Sequence, residues 1–166
     1  LDVARTETTV GQYRKCVSEG ACSSPATGSN CTYGMGNDNL PVNCIRYEQA
    51  AEFCGWAGAR LPSRDEWENE ITNGHQTGTP DIHCSLAVLR KCFPIPPYEF
   101  PQPIPVCSRP QGNNWTGLCD LMGNLAELTT DRLDGNMRAV GSSFATDYWN
   151  DNSALYFGDS YPLPPG

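Results

Sequence analysis

Apolar residues near the start of the chain recur at the three- and four-residue spacing of an α-helix. Thr9 and Gln12 form a capping-box pattern at the beginning of this run, and Gly20 follows its last turn. The pattern therefore predicts a first helix that ends near Gly20 and buries one face, made of Val10, Tyr13, Cys16 and Val17.

Two more helices are predicted further along the chain. One spans Glu48 to Gly58, and the other begins at a second capping box, Ser63 with Glu66, and is expected to bury Trp67. The former carries a face of small residues suited to close packing, made of Ala50, Ala51, Cys54 and Ala57. Residues 21–43 are turn-forming throughout, which predicts a long loop.

The second half of the chain has fewer regular patterns. Residues 74–111 are rich in Pro and Gly, so we expect little regular structure there. Two short β-like runs follow, over Arg138–Phe144 and Ala154–Phe157. A chain of 166 residues suits one domain with one modest core.

Composition narrows the partners and the compartment. The 11 Lys and Arg residues against 19 Asp and Glu give a charge of −8, which argues against nucleic acid or an anionic membrane surface as a partner. No apolar run reaches the ~18 residues of a membrane span, so no membrane insertion is expected. Nine cysteines without any Cys-x-x-Cys spacing favour disulfides over a thiolate metal site, and hence a secreted, periplasmic or cell-surface location.

Three stretches in fixed order resemble one family. They are Thr6–Tyr13, Ala50–Glu68 and Gly117–Glu127, and together they resemble the formylglycine-generating-enzyme (sulfatase-modifying factor) domain over nearly the whole chain. The resemblance implies an α+β, C-type-lectin-like fold with two helices, a small antiparallel sheet and much irregular, disulfide-stapled structure.

The resemblance also implies where an enzyme of this family would hold copper. Active members bind it through two cysteines, with four residues between them, that follow a Gly-Gly-Ser-aromatic strand. Here the strand resembles Gly141–Phe144, and the two cysteine positions fall at Thr146 and Asp151. A hydroxyl and a carboxylate do not replace two soft ligands of Cu(I). We therefore expect no copper and no catalytic residue.

A second enzymatic branch, the ergothioneine-type sulfoxide synthases, implies an iron site of three histidines. This chain has only His75 and His83, both in the Pro/Gly-rich segment, and we expect them to be exposed loop residues without iron. The alternative is a metal-dependent oxidase or sulfoxide-synthase-like enzyme with an altered site that uses these histidines or Asp151.

Oxygen donors favour a calcium site in the third stretch. The residues are two carboxylates, Asp120 and Glu127, and the carbonyl groups of Gly123 and Leu125, which are the positions at which the resembled family holds a structural calcium. The alternative is that Asp120 caps a turn and Glu127 forms a salt bridge. The family's other calcium site would lie near residues 81–105, where no convincing match is found.

The cysteines are expected to pair locally, because short loops close at low entropic cost. The expected pairs are Cys16 with Cys22, Cys31 with Cys44, Cys84 with Cys92, and Cys107 with Cys119. Cys54 is left over, and the resemblance implies that its partner lies in a terminal strand. We therefore expect residues 1–166 to be one domain that stops just before its last strand, with the native polypeptide continuing past Gly166.

Aromatic and short polar residues alternate near the end of the chain, a composition typical of recognition surfaces. The candidate interface residues are Tyr148, Trp149, Asn150, Asn152, Tyr156 and Tyr161. With the copper ligands missing, the sequence predicts a catalytically silent extracellular module that contacts a protein partner or copies of itself. A glycan partner is a weaker alternative.

Overall fold

A computed structural model of the chain describes residues 2–72, 83–93, 101–133 and 136–146. Several predicted features lie outside these residues: His75, the second copper position Asp151, the run Ala154–Phe157, and every candidate interface residue, namely Tyr148, Trp149, Asn150, Asn152, Tyr156 and Tyr161.

The described part of the chain combines helices and strands with much irregular backbone. Its regular elements are α1 (Val10–Ser18), α2 (Tyr47–Trp56), α3 (Arg64–Thr72), β1 (Glu127–Leu133) and β2 (Asn136–Val140). Single 3₁₀ turns occur at Thr32–Gly34, Arg90–Cys92 and Pro110–Gly112. The two strands form an antiparallel pair in which Glu127 lies opposite Val140.

Helix α1 begins as its sequence predicts. The Gln12 backbone N–H donates to Thr9 Oγ1 at 3.2 Å, and the Thr9 N–H donates to Gln12 Oε1 at 2.9 Å, which completes the capping box. The buried face consists of Val10, Tyr13 and Cys16. It forms the first core with Leu40 and Val42 from the following loop.

Helix α2 differs from its prediction in bounds and in orientation. It ends at Trp56, before the positive-φ Gly58, and its buried residues are Gln49 and Ala50, whereas Ala51 and Ala57 are exposed. The small-residue face is therefore buried only in part, at Ala50 and the half-buried Cys54. Aromatic packing accounts for the difference: the Phe53 ring stacks on that of Tyr13 at 5.7 Å between centroids, which buries more apolar surface than alanines would.

Helix α3 contributes to a second, smaller core. Ser63 and Glu66 form the predicted capping box, with Ser63 N–H donating to Glu66 Oε2 at 2.8 Å and Glu66 N–H donating to Ser63 Oγ at 3.2 Å. Trp67 is buried as predicted. It packs with Leu118 and Leu121 from the loop that precedes β1.

The predicted strand over Arg138–Phe144 is wrong at its C-terminal end, because β2 stops at Val140. Gly141 has φ 76°, which breaks the extended backbone. The chain then turns, with the Thr146 N–H donating to the Ser143 carbonyl at 3.0 Å.

Four disulfides tie the irregular segments together: Cys16–Cys22, Cys31–Cys44, Cys84–Cys92 and Cys107–Cys119. These are the local pairs that loop closure favours, and Cys54 on α2 is a free thiol. Such a set of disulfides indicates an oxidising compartment. Among the described residues, none of the helices has the length and apolar character needed to cross a membrane.

Candidate functional site

The loop before β1 is tightly wound. Asp120, Gly123 and Asn124 all have φ between 59° and 82°, the left-handed region that glycine and asparagine tolerate best. At Gly123 a side chain is also excluded by contact, since a Cβ would lie 2.5 Å from the Val88 carbonyl oxygen. The loop is thereby fixed against the segment around Val88, with which it forms an isolated β-bridge.

Asn124 holds this loop to four other parts of the chain. It has no exposed surface, and its backbone N–H donates to Val88 O at 2.8 Å while its carbonyl accepts from Phe144 N at 2.8 Å. Its side-chain oxygen accepts from Ile104 N at 3.0 Å, and Nδ2 donates to Ile104 O at 3.1 Å. A fifth bond runs from Nδ2 to Glu7 Oε2 at 2.7 Å.

Glu7 reaches this loop from the N-terminal segment. Besides accepting from Asn124 Nδ2, its carboxylate accepts from the Leu125 backbone N–H, with 2.7 Å between Leu125 N and Glu7 Oε1. Arg5 forms two further hydrogen bonds with the same loop. The Cys119 N–H donates to the Arg5 carbonyl at 2.9 Å, and Arg5 Nε donates to the Gly117 carbonyl at 3.2 Å. Residues 5–7 are thus attached to the loop at four points.

The two predicted calcium carboxylates lie in this region. Asp120 is buried, and its Oδ2 accepts from Cys107 N at 2.6 Å. Glu127 keeps some exposed surface, but its Oε2 is sealed from solvent and has no hydrogen-bond partner among the described residues. The indole nitrogen of Trp67 is likewise sealed from solvent and has no hydrogen-bond partner among the described residues. Gly141 lies close to both side chains, since a Cβ there would lie 2.7 Å from Glu127 Oε2 and 3.3 Å from Trp67 Cζ2.

These carboxyl groups repel one another. Burial raises the pKa of Glu127 well above its usual value, and the negative charges of Glu7 and Asp120 add to the effect. Burial likewise raises the pKa of Glu7 well above its usual value, with Asp120 adding to it and the bonds from Leu125 and Asn124 opposing it. The pKa of Asp120 is also raised by burial, against the bond from Cys107 and the charge of Arg109.

The donor set fits a hard cation. No group of three His, Cys, Asp or Glu side chains suited to hold a metal occurs among the described residues, so a cation would need backbone carbonyl groups as well. The carbonyl oxygens of Gly123 and Leu125 accept no hydrogen bond from another described residue. Two carboxylates and two carbonyls, with an unpartnered carboxylate oxygen, match the oxygen ligands that Ca²⁺ prefers.

The residue at the first predicted copper position, Thr146, does not fit its metal. Thr146 Oγ1 accepts from Ser143 N at 2.8 Å and donates to Ser143 O at 3.1 Å, so the hydroxyl is part of a turn. Thr146 itself offers no soft ligand, and Cys84 and Cys92 are joined in a disulfide. His83 is exposed. These residues do not fit a Cu(I) centre.

Fold and site together define a disulfide-held α+β domain with an oxygen-rich loop at the base of a two-stranded sheet. The chain belongs to the FGE-sulfatase family: residues 1–161 match the family model described as the sulfatase-modifying factor enzyme 1-like domain. The predicted family resemblance is therefore confirmed.

Two curated relatives carry enzyme names. Hercynine oxygenase of Mycobacterium tuberculosis is 24% identical over 139 residues, which cover 75% of this chain and 30% of that protein. Formylglycine-generating enzyme of Mus musculus is 29% identical over 125 residues, covering 64% of this chain and 33% of that protein. The chain thus spans about a third of the length of these relatives.

A solved structure shares the fold. The crystal structure of CarF superposes with a TM-score of 0.62 at 18% identity, covering 90% of this chain and 77% of CarF. At that identity the likeness concerns the fold alone.

Sequence reasoning missed Glu7 as a member of the site. The one signal it offered was position, because Glu7 lies in Thr6–Tyr13, the first of the three stretches that carry the family resemblance. Its contacts are with residues more than a hundred positions away, which no local pattern reveals.

Proposed function

We propose that this chain is a non-catalytic member of its family, a binding or assembly module whose loop before β1 holds a structural calcium ion. One observation carries the first half of the proposal: the position that resembles the first copper ligand is Thr146, whose hydroxyl is bonded within a turn to Ser143. The second position is Asp151, and no cysteine follows Cys119 in the sequence.

The remaining thiol does not supply a replacement. Eight cysteines form disulfides, and Cys54 is the free one. Burial raises the pKa of the Cys54 thiol, so this group stays protonated near neutral pH and is a poor metal ligand. Cu(I) chemistry of the formylglycine-generating type requires two thiolates at one place.

Calcium is supported by the buried charges. Glu127 Oε2 has no partner among the described residues, and burial raises the pKa of Glu127, with the charges of Glu7 and Asp120 adding to the effect. The residues that would hold the cation are Asp120 and Glu127 through side chains, and Gly123 and Leu125 through carbonyl oxygens. A divalent cation there would relieve the repulsion between the carboxylates and hold the loop in shape.

The partner is proposed from the sequence. The aromatic and polar residues of the 148–161 segment have the composition of a protein-binding surface, so a protein partner or a second copy of the chain is favoured. A glycan partner would depend on the C-type-lectin-like relationship of the fold, and fold alone does not fix function.

Oxygen consumption tests the silent-module proposal. The purified chain is incubated in separate reactions with Cu(I) and a cysteine-containing peptide, and with Fe(II) and hercynine, each under a thiol reductant too weak to open the disulfides. We expect oxygen uptake equal to that of the protein-free control. Stoichiometric, protein-dependent uptake in either reaction would instead support an oxidase with an altered metal site.

A further inference from the structure

Glu7 connects two parts of the molecule that the sequence keeps far apart. Its carboxylate accepts from Leu125 N and from Asn124 Nδ2, both at 2.7 Å. Leu125 is one of the residues that would hold the cation through its carbonyl group. Glu7 therefore fixes the Asn124–Leu125 peptide unit, which directly precedes the Leu125 carbonyl group, although Glu7 belongs to the segment just before α1.

Apart from the bonds of Glu7, residues 5–7 make few hydrogen bonds with the loop before β1. Arg5 supplies two hydrogen bonds, to Gly117 and from Cys119. No ion pair involving Glu7 occurs among the described residues. Within the described part of the chain the carboxylate of Glu7 therefore has no cation as an ion-pair partner, and it interacts electrostatically with two further carboxylates, Asp120 and Glu127.

The unpartnered oxygen of Glu127 is a second observation that favours a cation at this loop. It is a solvent-inaccessible acceptor with no donor among the described residues. An acceptor of this kind is costly unless a donor or a cation satisfies it. A water molecule would donate a hydrogen bond to this oxygen but would not reduce the repulsion among the three carboxyl groups. A divalent cation would both bind the oxygen and reduce that repulsion.

We propose that Glu7 is a positioning residue of the calcium site, which adds a third negative charge and fixes the Asn124–Leu125 peptide, so that calcium binding and docking of residues 5–7 onto the loop are coupled. This inference rests on the calcium site of the proposed function. Calcium affinity in proteins depends on the charge and rigidity of the ligand set, and Glu7 acts on both.

A purely structural Glu7 would behave differently. It would stabilise the fold to the same extent with and without calcium, and its replacement would leave the calcium affinity unchanged. A positioning Glu7 changes the affinity itself. The two roles are therefore separated by a calcium titration together with thermal unfolding in calcium and in EDTA.

The titration compares the wild-type chain with Glu7→Gln, Glu7→Asp and Glu52→Gln. Glu52 is a matched control, because its carboxylate also accepts from one backbone N–H and one side chain, both of Ser23, but lies on the exposed surface. We expect Glu7→Gln to weaken calcium binding about tenfold or more. We expect Glu7→Asp to weaken it less, since the charge is kept and the reach is shortened, and Glu52→Gln to leave it unchanged.

Hydrogen exchange of the wild-type chain tests the coupling without any substitution. Calcium is expected to slow exchange at the Leu125 and Cys119 amides, which donate to Glu7 and Arg5. Two results would overturn the inference. The first is that wild type and Glu7→Gln bind calcium with equal affinity and that the substitution lowers the melting temperature equally in calcium and in EDTA. The second is that calcium leaves the wild-type exchange rates at these two amides unchanged. Absence of calcium binding by the wild type would overturn the calcium site itself, which is a distinguishable result.

Discussion

At the scale of single residues, the site is organised by Asn124. The preceding Gly123 permits a close approach to Val88, and Asn124 itself adopts φ 60°, which asparagine tolerates better than most residues. Every polar group of Asn124 is hydrogen-bonded, to Val88, Ile104, Phe144 and Glu7. The residue joins four segments that have few other contacts through regular structure.

Asn124→Ala should therefore be strongly destabilising. The substitution removes three side-chain hydrogen bonds and leaves Glu7 Oε2 and the Ile104 peptide groups without partners, so we expect the free energy of unfolding to fall by about 3 to 5 kcal/mol. Urea unfolding with intact disulfides measures it. Asn124→Gly is the matched variant, expected to cost about 1 kcal/mol less, because glycine adopts this backbone conformation without strain. A loss below 1 kcal/mol in Asn124→Ala would contradict the role of this residue.

At the scale of elements, local chemistry predicted the helix starts well. Thr9 with Gln12 and Ser63 with Glu66 form the capping boxes that their spacing indicates. A capping box involves residues within one turn, so its sequence pattern carries all the information that is needed. The local disulfide pairs follow the same logic, since they close short loops.

Elements whose form depends on tertiary contacts were predicted less well. The packing face of α2 includes Phe53 against Tyr13 and only one of its alanines, Ala50, and the aromatic contact exists only once α1 is in place. The sequence predicts a β2 that is too long at its C-terminal end, because the turn at Ser143 depends on a hydrogen bond that the Ser143 N–H donates to the Thr146 side chain. β1 was not predicted at all, since its sequence from Glu127 to Leu133 is largely polar.

In the candidate site, too, the residues that sequence could identify are those whose role follows from a continuous stretch of the chain. Asp120 and Glu127 could be selected from sequence, because they lie in one continuous stretch that resembles the family. Glu7 could not, because its place beside Leu125 results from folding across more than a hundred residues. The sequence shows that threonine, and not cysteine, stands at position 146, which resembles a copper-ligand position. The structure adds that the Thr146 hydroxyl donates to the Ser143 carbonyl within a turn.

At the scale of the whole molecule, three partly or fully buried carboxyl groups make stability depend on pH and, if the proposed site binds the cation, on calcium. The pKa values of Glu7, Asp120 and Glu127 are raised in the folded state, mainly by burial. The folded chain then binds more protons than the unfolded chain at pH values above the ordinary carboxyl pKa of about 4.3. Without calcium, folding is therefore most favourable at the acidic end of this range and weakens as pH rises.

Melting temperatures in EDTA should accordingly rise as the pH falls from about 7 to about 5. Saturating calcium keeps the carboxylates ionised and should flatten or reverse this trend. Glu66, whose pKa is lowered to about 2 chiefly by its hydrogen bond from Arg60, loses its contribution only below the ordinary carboxyl pKa and does not affect this window. A melting temperature in EDTA that falls on acidification over the same range would contradict the assignment of these three groups.

The account as a whole depends on which metal the folded chain selects. Native mass spectrometry of the disulfide-intact protein, after exposure to Ca²⁺ and to Cu(I) in separate samples, measures this directly. We predict one calcium ion per chain, lost in Asp120→Asn with Glu127→Gln, and no stoichiometric copper. A chain that takes up one copper ion and no calcium would contradict the account.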